Sequence, residues 1–224
     1  MKPVERLAEA IAPDGSALTL YRHDGDYGIR AGGTELMSTR RHHSEEQLAT
    51  RVCLSLRDAP PPGVLIGGLG FGYTLAAALR VLPADAKVVV AELIPEIIEW
   101  NLHPDYPLAR PLLADPRVEL RNVDVADVLS SSRRSFDAIL MDVDNGPEAL
   151  TTERNAALYG TRGVRMTVDA LRPRGRLAYW SAGDDKRFTA TLRAAGLEVE
   201  EVRVRAHRTS GGRHTLLIGR RSAR

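Results

Sequence analysis

The chain has 224 residues, 43% of them hydrophobic, a formal net charge of +2 and one cysteine. That is enough apolar material for one α/β domain with a small extension. It excludes an internal disulfide and a dense basic nucleic-acid surface, and no apolar run approaches the roughly 20 residues of a membrane span.

Met1 to Ala12 carries charges throughout and reads as a short amphipathic helix, with no signal peptide. Ala17–Tyr21 and Tyr27–Ala31 alternate apolar and polar residues around His23-Asp24-Gly25-Asp26, so they read as a β-hairpin, continued by Thr34–Met37. Ser44-Glu45-Glu46-Gln47 has the form of a capping box. It starts a helix whose face is Leu48, Val52 and Leu56 and which ends before Pro60-Pro61-Pro62-Gly63. Cys53 lies in this apolar helical stretch and reads as a buried small hydrophobe.

After the prolines the texture changes to alternating strands and helices. Strands are expected at Val64–Ile66, Lys87–Ala91, Val118–Asn122, Asp137–Met141, Arg176–Trp180, Val199–Arg205 and His214–Gly219. Helices are expected at Tyr73–Val81, at Pro95–Asn101, in the segment that ends at Leu171, and at Lys186–Ala195. Short apolar strands alternating with helices indicate a mainly parallel sheet covered on both faces. In such sheets ligands bind outside the carboxyl ends of the strands, so the loops there are the ones to read for chemistry. The division expected is residues 1–58 as an N-terminal helix, hairpin unit and linking helix, and 59–224 as a nucleotide-binding domain.

The strongest chemical signal is Val64-Leu65-Ile66-Gly67-Gly68-Leu69-Gly70-Phe71-Gly72, a buried strand running into four glycines and a helix. Glycine lets the backbone turn sharply and approach a ligand where a Cβ would clash. Glu92 ends the second strand and can accept both hydroxyls of a ribose. Asp124 follows the third strand in Asn122-Val123-Asp124-Val125, where a carboxylate reaches an adenine amine or caps the following helix. Asp142 and Asp144 close the fourth strand, ahead of the turn Asn145-Gly146-Pro147. Two carboxylates at the mouth of a buried strand are costly unless hydrogen-bonded or useful. They serve a cation or an amine proton, or else the turn itself.

These residues resemble the spermidine synthase family, a branch of the class I S-adenosylmethionine methyltransferase fold. The resemblance rests on Gly67-Gly68-Leu69-Gly70-Phe71-Gly72, Glu92 with Pro95, Asp124, the Asp142–Pro147 loop, Gly146-Pro147-Glu148-Ala149-Leu150, Leu158-Tyr159, and Leu171-Arg172-Pro173-Arg174-Gly175-Arg176-Leu177. It covers most of the chain from about Thr34. It implies a seven-stranded, mostly parallel Rossmann-like α/β sheet with a short N-terminal β-hairpin unit. It also implies S-adenosylmethionine or its decarboxylated form as cofactor, held by Gly67, Gly68, Gly70, Gly72, Glu92, Asp124 and Val125, and no metal. Asp142 would be the base that deprotonates an attacking amine, with Asp144 second. His43, Gln47, Tyr159 and Trp180 are candidates for the acceptor pocket. Aminopropyltransferases usually carry an aspartate in the glycine loop where this chain has Gly70. Their second loop is also longer, with its second acid three residues after the first. Both departures fall on the amine-handling side.

The reading expected is therefore a cytoplasmic transferase, first a methyltransferase on a small-molecule amine or hydroxyl. The alternatives are a polyamine aminopropyltransferase and a non-catalytic nucleoside-binding protein. A dehydrogenase fits less well, because Tyr73 stands where its third glycine should fall. Nucleic acid and membrane are not expected partners. An N-terminal β-unit of this kind often serves a homodimer in the resembling family. His42-His43 has no second ligand pair at metal spacing, and Ser181 has no His and Asp arrangement around it.

Overall fold

The computed structural model describes residues 3–58, 60–143, 157–208 and 211–222. Asp144 and the Asn145–Gly146–Pro147 turn lie outside the described residues.

The chain opens with four antiparallel strands in order β1-β2-β3-β4: Glu5–Ile11, Ala17–His23, Asp26–Ala31 and Thr34–Ser38. The expected hairpin is present and is larger than a hairpin. The expected N-terminal helix is not: its residues form β1. Glu, Arg, Leu and Ala all favour a helix locally, but pairing with β2 overrides that preference. Glu9 sits opposite Thr19, Ala10 opposite Leu18, and Arg22 reaches across to Glu5 at 2.7 Å.

Helix α1 (His43–Cys53) and a short 3₁₀ turn (Leu54–Leu56) lead into the larger sheet. Its strands are β5 (Gly63–Gly67), β6 (Lys87–Glu92), β7 (Val118–Asn122), β8 (Phe136–Met141), β9 (Leu171–Ser181), β10 (Leu197–Arg205) and β11 (Arg213–Arg221). The order is β10-β11-β9-β8-β5-β6-β7, with β5 to β9 parallel and β11 antiparallel to both of its neighbours, β9 and β10. Between them run α2 (Tyr73–Val81), α3 (Pro95–Leu102), α4 (Arg110–Leu113), α5 (Val125–Ser131), α6 (Thr161–Ala170) and α7 (Lys186–Ala194). The helix expected through Leu171 stops at Ala170, and Leu171 already belongs to β9.

Alternation along the central strands builds the two faces. Val64, Ile66, Val88, Val90, Ala138 and Leu140 enter one core; Leu65, Val89, Ala91, Ile139 and Met141 enter the other. Helix α1 contributes Leu48, Ala49, Val52 and Cys53 to the first of these cores. A third core joins the N-terminal sheet to the larger one, with Leu20 and Ile29 meeting Phe71, Ile97 and Trp100. From β5 the chain crosses to β6 on one side and later returns to β8 on the other. The carboxyl end of β5 is therefore the switch point, where such sheets leave a crevice.

Candidate active site

A crevice opens to solvent at that switch point, where ligands bind in sheets of this kind. Gly68, Gly70, Glu92, Asp124, Val125 and Asp142 line it, and Ala12, Pro13 and Met37 of the N-terminal segment form its roof.

The loop after β5 is held from three sides. Gly68 donates its N–H to the Ala91 carbonyl at 2.8 Å, and Asp142 donates its N–H to the Gly67 carbonyl at 2.9 Å, tying the loop to the ends of β6 and β8. Gly68 has φ +90°, and a Cβ there would overlap the Asp142 carbonyl, so the close approach of these two strand ends requires glycine. Asn101 is 1% exposed and clamps the loop from α3: its amide donates to the Gly70 carbonyl at 2.8 Å, and its oxygen accepts from the Ala109 N–H at 3.2 Å. Gly67 and Gly72 pack against Val125 and Ala109 instead of lining the crevice.

Glu92 is 6% exposed at the end of β6. One carboxylate oxygen accepts the Leu69 N–H and the other the Ile94 N–H, both at 2.9 Å. These bonds fix the carboxylate in place at the edge of the crevice, which it lines. Asp124 adopts the capping role weighed for it: its side chain accepts from the Ala126 N–H at 2.9 Å and starts α5, while the residue still borders the crevice.

Asp142 lies where β8 ends. Thr74, the second residue of α2, donates its hydroxyl to the carboxylate at 2.5 Å. Enclosure by protein pushes the carboxyl up to about 6, against the opposing pull of the Thr74 bond. A second carboxylate, Glu45, stands close by on α1, which packs against both α2 and β8. Its pKa is raised well above the usual range by burial, then by the charges of Asp142 and Glu46.

Glu45 is a residue that sequence reasoning passes over, because the Ser44–Gln47 string reads as a capping box. The capping box does not form. The helix starts one residue earlier, at His43, without a side-chain cap. Ser44 is instead buried, with its hydroxyl 2.8 Å from His214 Nδ1 and 3.0 Å from the Trp180 indole nitrogen, which donates to it. The signal available was only its i,i+3 relation to Leu48, which puts Glu45 off the solvent face.

None of the four expected acceptor-pocket residues, His43, Gln47, Tyr159 and Trp180, is among the described residues that line this crevice. Trp180 is 9% exposed, packs in the core and gives its N–H to Ser44. Tyr159 is buried with Tyr179 and Phe188 around it, and its hydroxyl donates to the Val143 carbonyl at 3.1 Å, one residue from Asp142. His43 and Gln47 are half-buried on α1, with His43 Nδ1 3.8 Å from Glu46. His42 stacks flat on Tyr73, ring centroids 3.9 Å apart. Among the described residues no group of three or more metal-ligating side chains comes together. No helix of the described residues is long and apolar enough to cross a membrane.

A spermidine synthase in complex with the transition-state analogue AdoDATO superposes over 98% of this chain and 75% of its own, with a TM-score of 0.74 and 18% identity. The chain has the spermidine synthase-like fold. Spermidine synthase from Thermotoga maritima matches over 98% of this chain and 73% of its own, with a TM-score of 0.73 and 15% identity. A probable spermidine synthase from Corynebacterium glutamicum ATCC 13032 gives a TM-score of 0.64 at 16% identity, covering 98% and 81%. No protein-family model and no curated protein sequence matches the chain. The spermidine synthase-like fold, of the class I methyltransferase type, thus extends through the N-terminal sheet as well as the larger one.

Proposed function

We propose that the chain is a transferase that moves an alkyl group from an S-adenosyl sulfonium donor to a small-molecule amine. One observation carries the reading: a glycine loop and a buried, pre-oriented carboxylate meet at neighbouring strand ends, and a second, half-buried carboxylate lines the same crevice from the end of β8. The residues fit the adenosine half of such a donor. Glu92 would hold the ribose hydroxyls, Asp124 and Val125 would border the adenine, and Gly68 and Gly70 line the crevice without side chains of their own. When bound, the donor supplies a carbon attached to positively charged sulfur, which departs as a neutral thioether. The protein must then align the amine, exclude water and take its proton. Asp142, with a carboxyl near 6, is ionised at neutral pH yet basic enough to accept a proton, a role worth about 10²–10⁴-fold in rate.

Aminopropyl transfer from the decarboxylated donor is the finer reading that the neighbours' names favour. Two observations favour methyl transfer from S-adenosylmethionine. The donor's tail would lie beside Gly70, which has φ +52° and carries no acid to hold a terminal ammonium, and a Cβ there would come within 3.3 Å of Met37 Sδ. The first residues of α2 follow directly, and a helix N-terminus favours an anion such as the tail carboxylate. Incubation with each donor and 1,4-diaminobutane, followed by mass spectrometry, separates the two by the mass added. Neither product forming with any amine or hydroxyl acceptor would leave a nucleoside-binding protein.

A further inference from the structure

The mechanism above uses Asp142 and leaves Glu45 unexplained. A charged side chain enclosed beside another of the same sign is costly, and structures resolve that cost by keeping one of the two protonated. Local packing sets helix α1 against α2 and the end of β8, with Thr74 between Glu45 and Asp142. Thr74 gives its hydroxyl to Asp142 at 2.5 Å, and the same hydroxyl lies 3.4 Å from the Glu45 carbonyl. Helix α1 is thus pinned over the end of β8. Among the described residues, no positive charge compensates Glu45. Among the described residues, the charges that act on it are Asp142 at the end of β8 and Glu46 on its own helix. Tyr73 and Thr74 face it from α2, and Tyr73 is itself pushed up to about 12, by burial first and then by Glu45, Asp26 and Glu46. The nearby arginines, Arg80 from α2 and Arg208 from the β10–β11 hairpin, are turned to Glu46 at 3.4 and 3.5 Å. His42 and His43 also approach Glu46, and burial disfavours the charged form of His42.

We propose that Glu45 is a second carboxylate of the acceptor end, that it shares a single proton with Asp142 while the site is empty, and that this proton leaves when a cationic amine docks. The proposal rests on the amine-acceptor reading for its second half and on the residues alone for its first. The empty pair carries one negative charge, on Asp142, with the proton on Glu45. An arriving ammonium favours the doubly ionised pair, so the Glu45 proton passes to solvent and the pair balances the incoming cation. Asp142 then takes the proton that the amine must lose. Glu45 is a positioning residue in this scheme: it matches the site's charge to its occupant, and Asp142 remains the base. A neutral hydroxyl acceptor would dock without expelling a proton.

The test uses the full-length protein with carbon-13 at the Asp and Glu carboxyls. The Glu45 signal is assigned by its loss in Glu45→Gln, a substitution that keeps the shape of the protonated acid. The expected result is a Glu45 carboxyl still protonated at pH 7, with its midpoint falling by a pH unit or more in Asp142→Asn. A Glu45 signal already ionised at pH 7, or one unmoved by Asp142→Asn, overturns the shared proton whatever the enzyme transfers. Calorimetry with 1,4-diaminobutane in two buffers of different ionisation heat then counts protons. About one should be released on binding to the wild type and none on binding to Glu45→Gln. Equal release by both proteins overturns the expulsion. If the carboxyl titration holds but the diamine does not bind, the amine-acceptor reading falls, and the expulsion with it, while the shared proton stands.

Discussion

Replacing Asp142 by asparagine isolates the cost of enclosing its carboxylate. In the unfolded chain this carboxyl loses its proton near its ordinary value of 3.8, whereas in the folded protein it keeps it until about 6. Between those values the folded state holds the extra proton, so the stability this group contributes is full below about pH 4 and is lost as pH rises through 6. A displacement of roughly 2 pH units, at about 1.4 kcal/mol per unit, amounts to about 3 kcal/mol. For a chain of this size that is a change in Tm of about 6–12 °C. Asparagine has nearly the same shape and can still accept the Thr74 hydroxyl, but it has no proton to lose. Burial lowers the pKa of His42 and His214, which acts with the opposite sign in part of this window, and that contribution is common to both proteins and cancels in their difference. Glu45, raised in part by Asp142, adds to the difference with the same sign. Urea unfolding of both proteins from pH 4 to pH 8 is the assay. The wild type should lose about 3 kcal/mol relative to Asp142→Asn across that range. Parallel curves would refute the argument, because they would mean the carboxylate ionises as freely folded as unfolded.

Three further outcomes follow from the loop and its clamps. Glu92→Gln should weaken nucleoside binding by about 10- to 100-fold, the loss expected when hydrogen bonds to a buried charge become neutral ones; titration calorimetry measures it. Gly68→Ala should abolish donor binding and lower stability by about 2 kcal/mol or more, since the added methyl meets the Asp142 carbonyl at a backbone angle of φ +90°; thermal unfolding and calorimetry read the two effects. Asn101→Ala strands the Gly70 carbonyl and the Ala109 N–H and should cost about 1–3 kcal/mol in urea unfolding, with weaker donor binding, whereas Arg121→Ala, which breaks only the exposed bridge to Glu119, should change stability by about 1 kcal/mol or less.

What could be read from residues alone follows from where each signal is stored. The Gly67–Gly72 loop and Glu92 are legible because their demands are local: a strand, a turn that excludes Cβ atoms, and an acid at the neighbouring strand's last position. The strand Val118–Asn122 and the helix Tyr73–Val81 have the bounds expected of them, the helix because its buried stripe writes a clear period. Glu5–Ile11 is misread because its own composition favours a helix and only the partner strand decides otherwise. Ser44 is misread for a similar reason: its hydroxyl answers to Trp180 and His214, far away in sequence, and not to its own helix. Glu45 and Asn101 are invisible as site residues because each acts through packing between helices and strand ends. No residue spacing encodes the contact of α1 with β8, or of α3 with the Gly70 carbonyl.

The account stands on the crevice clasping an adenosine. Titration calorimetry of the purified protein with S-adenosylmethionine, and in parallel with its decarboxylated form, addresses that directly. Saturable one-site binding of at least one of them, weakened in Glu92→Gln, is the predicted result. Heat of dilution alone from both, with a folded protein in the cell, would contradict it.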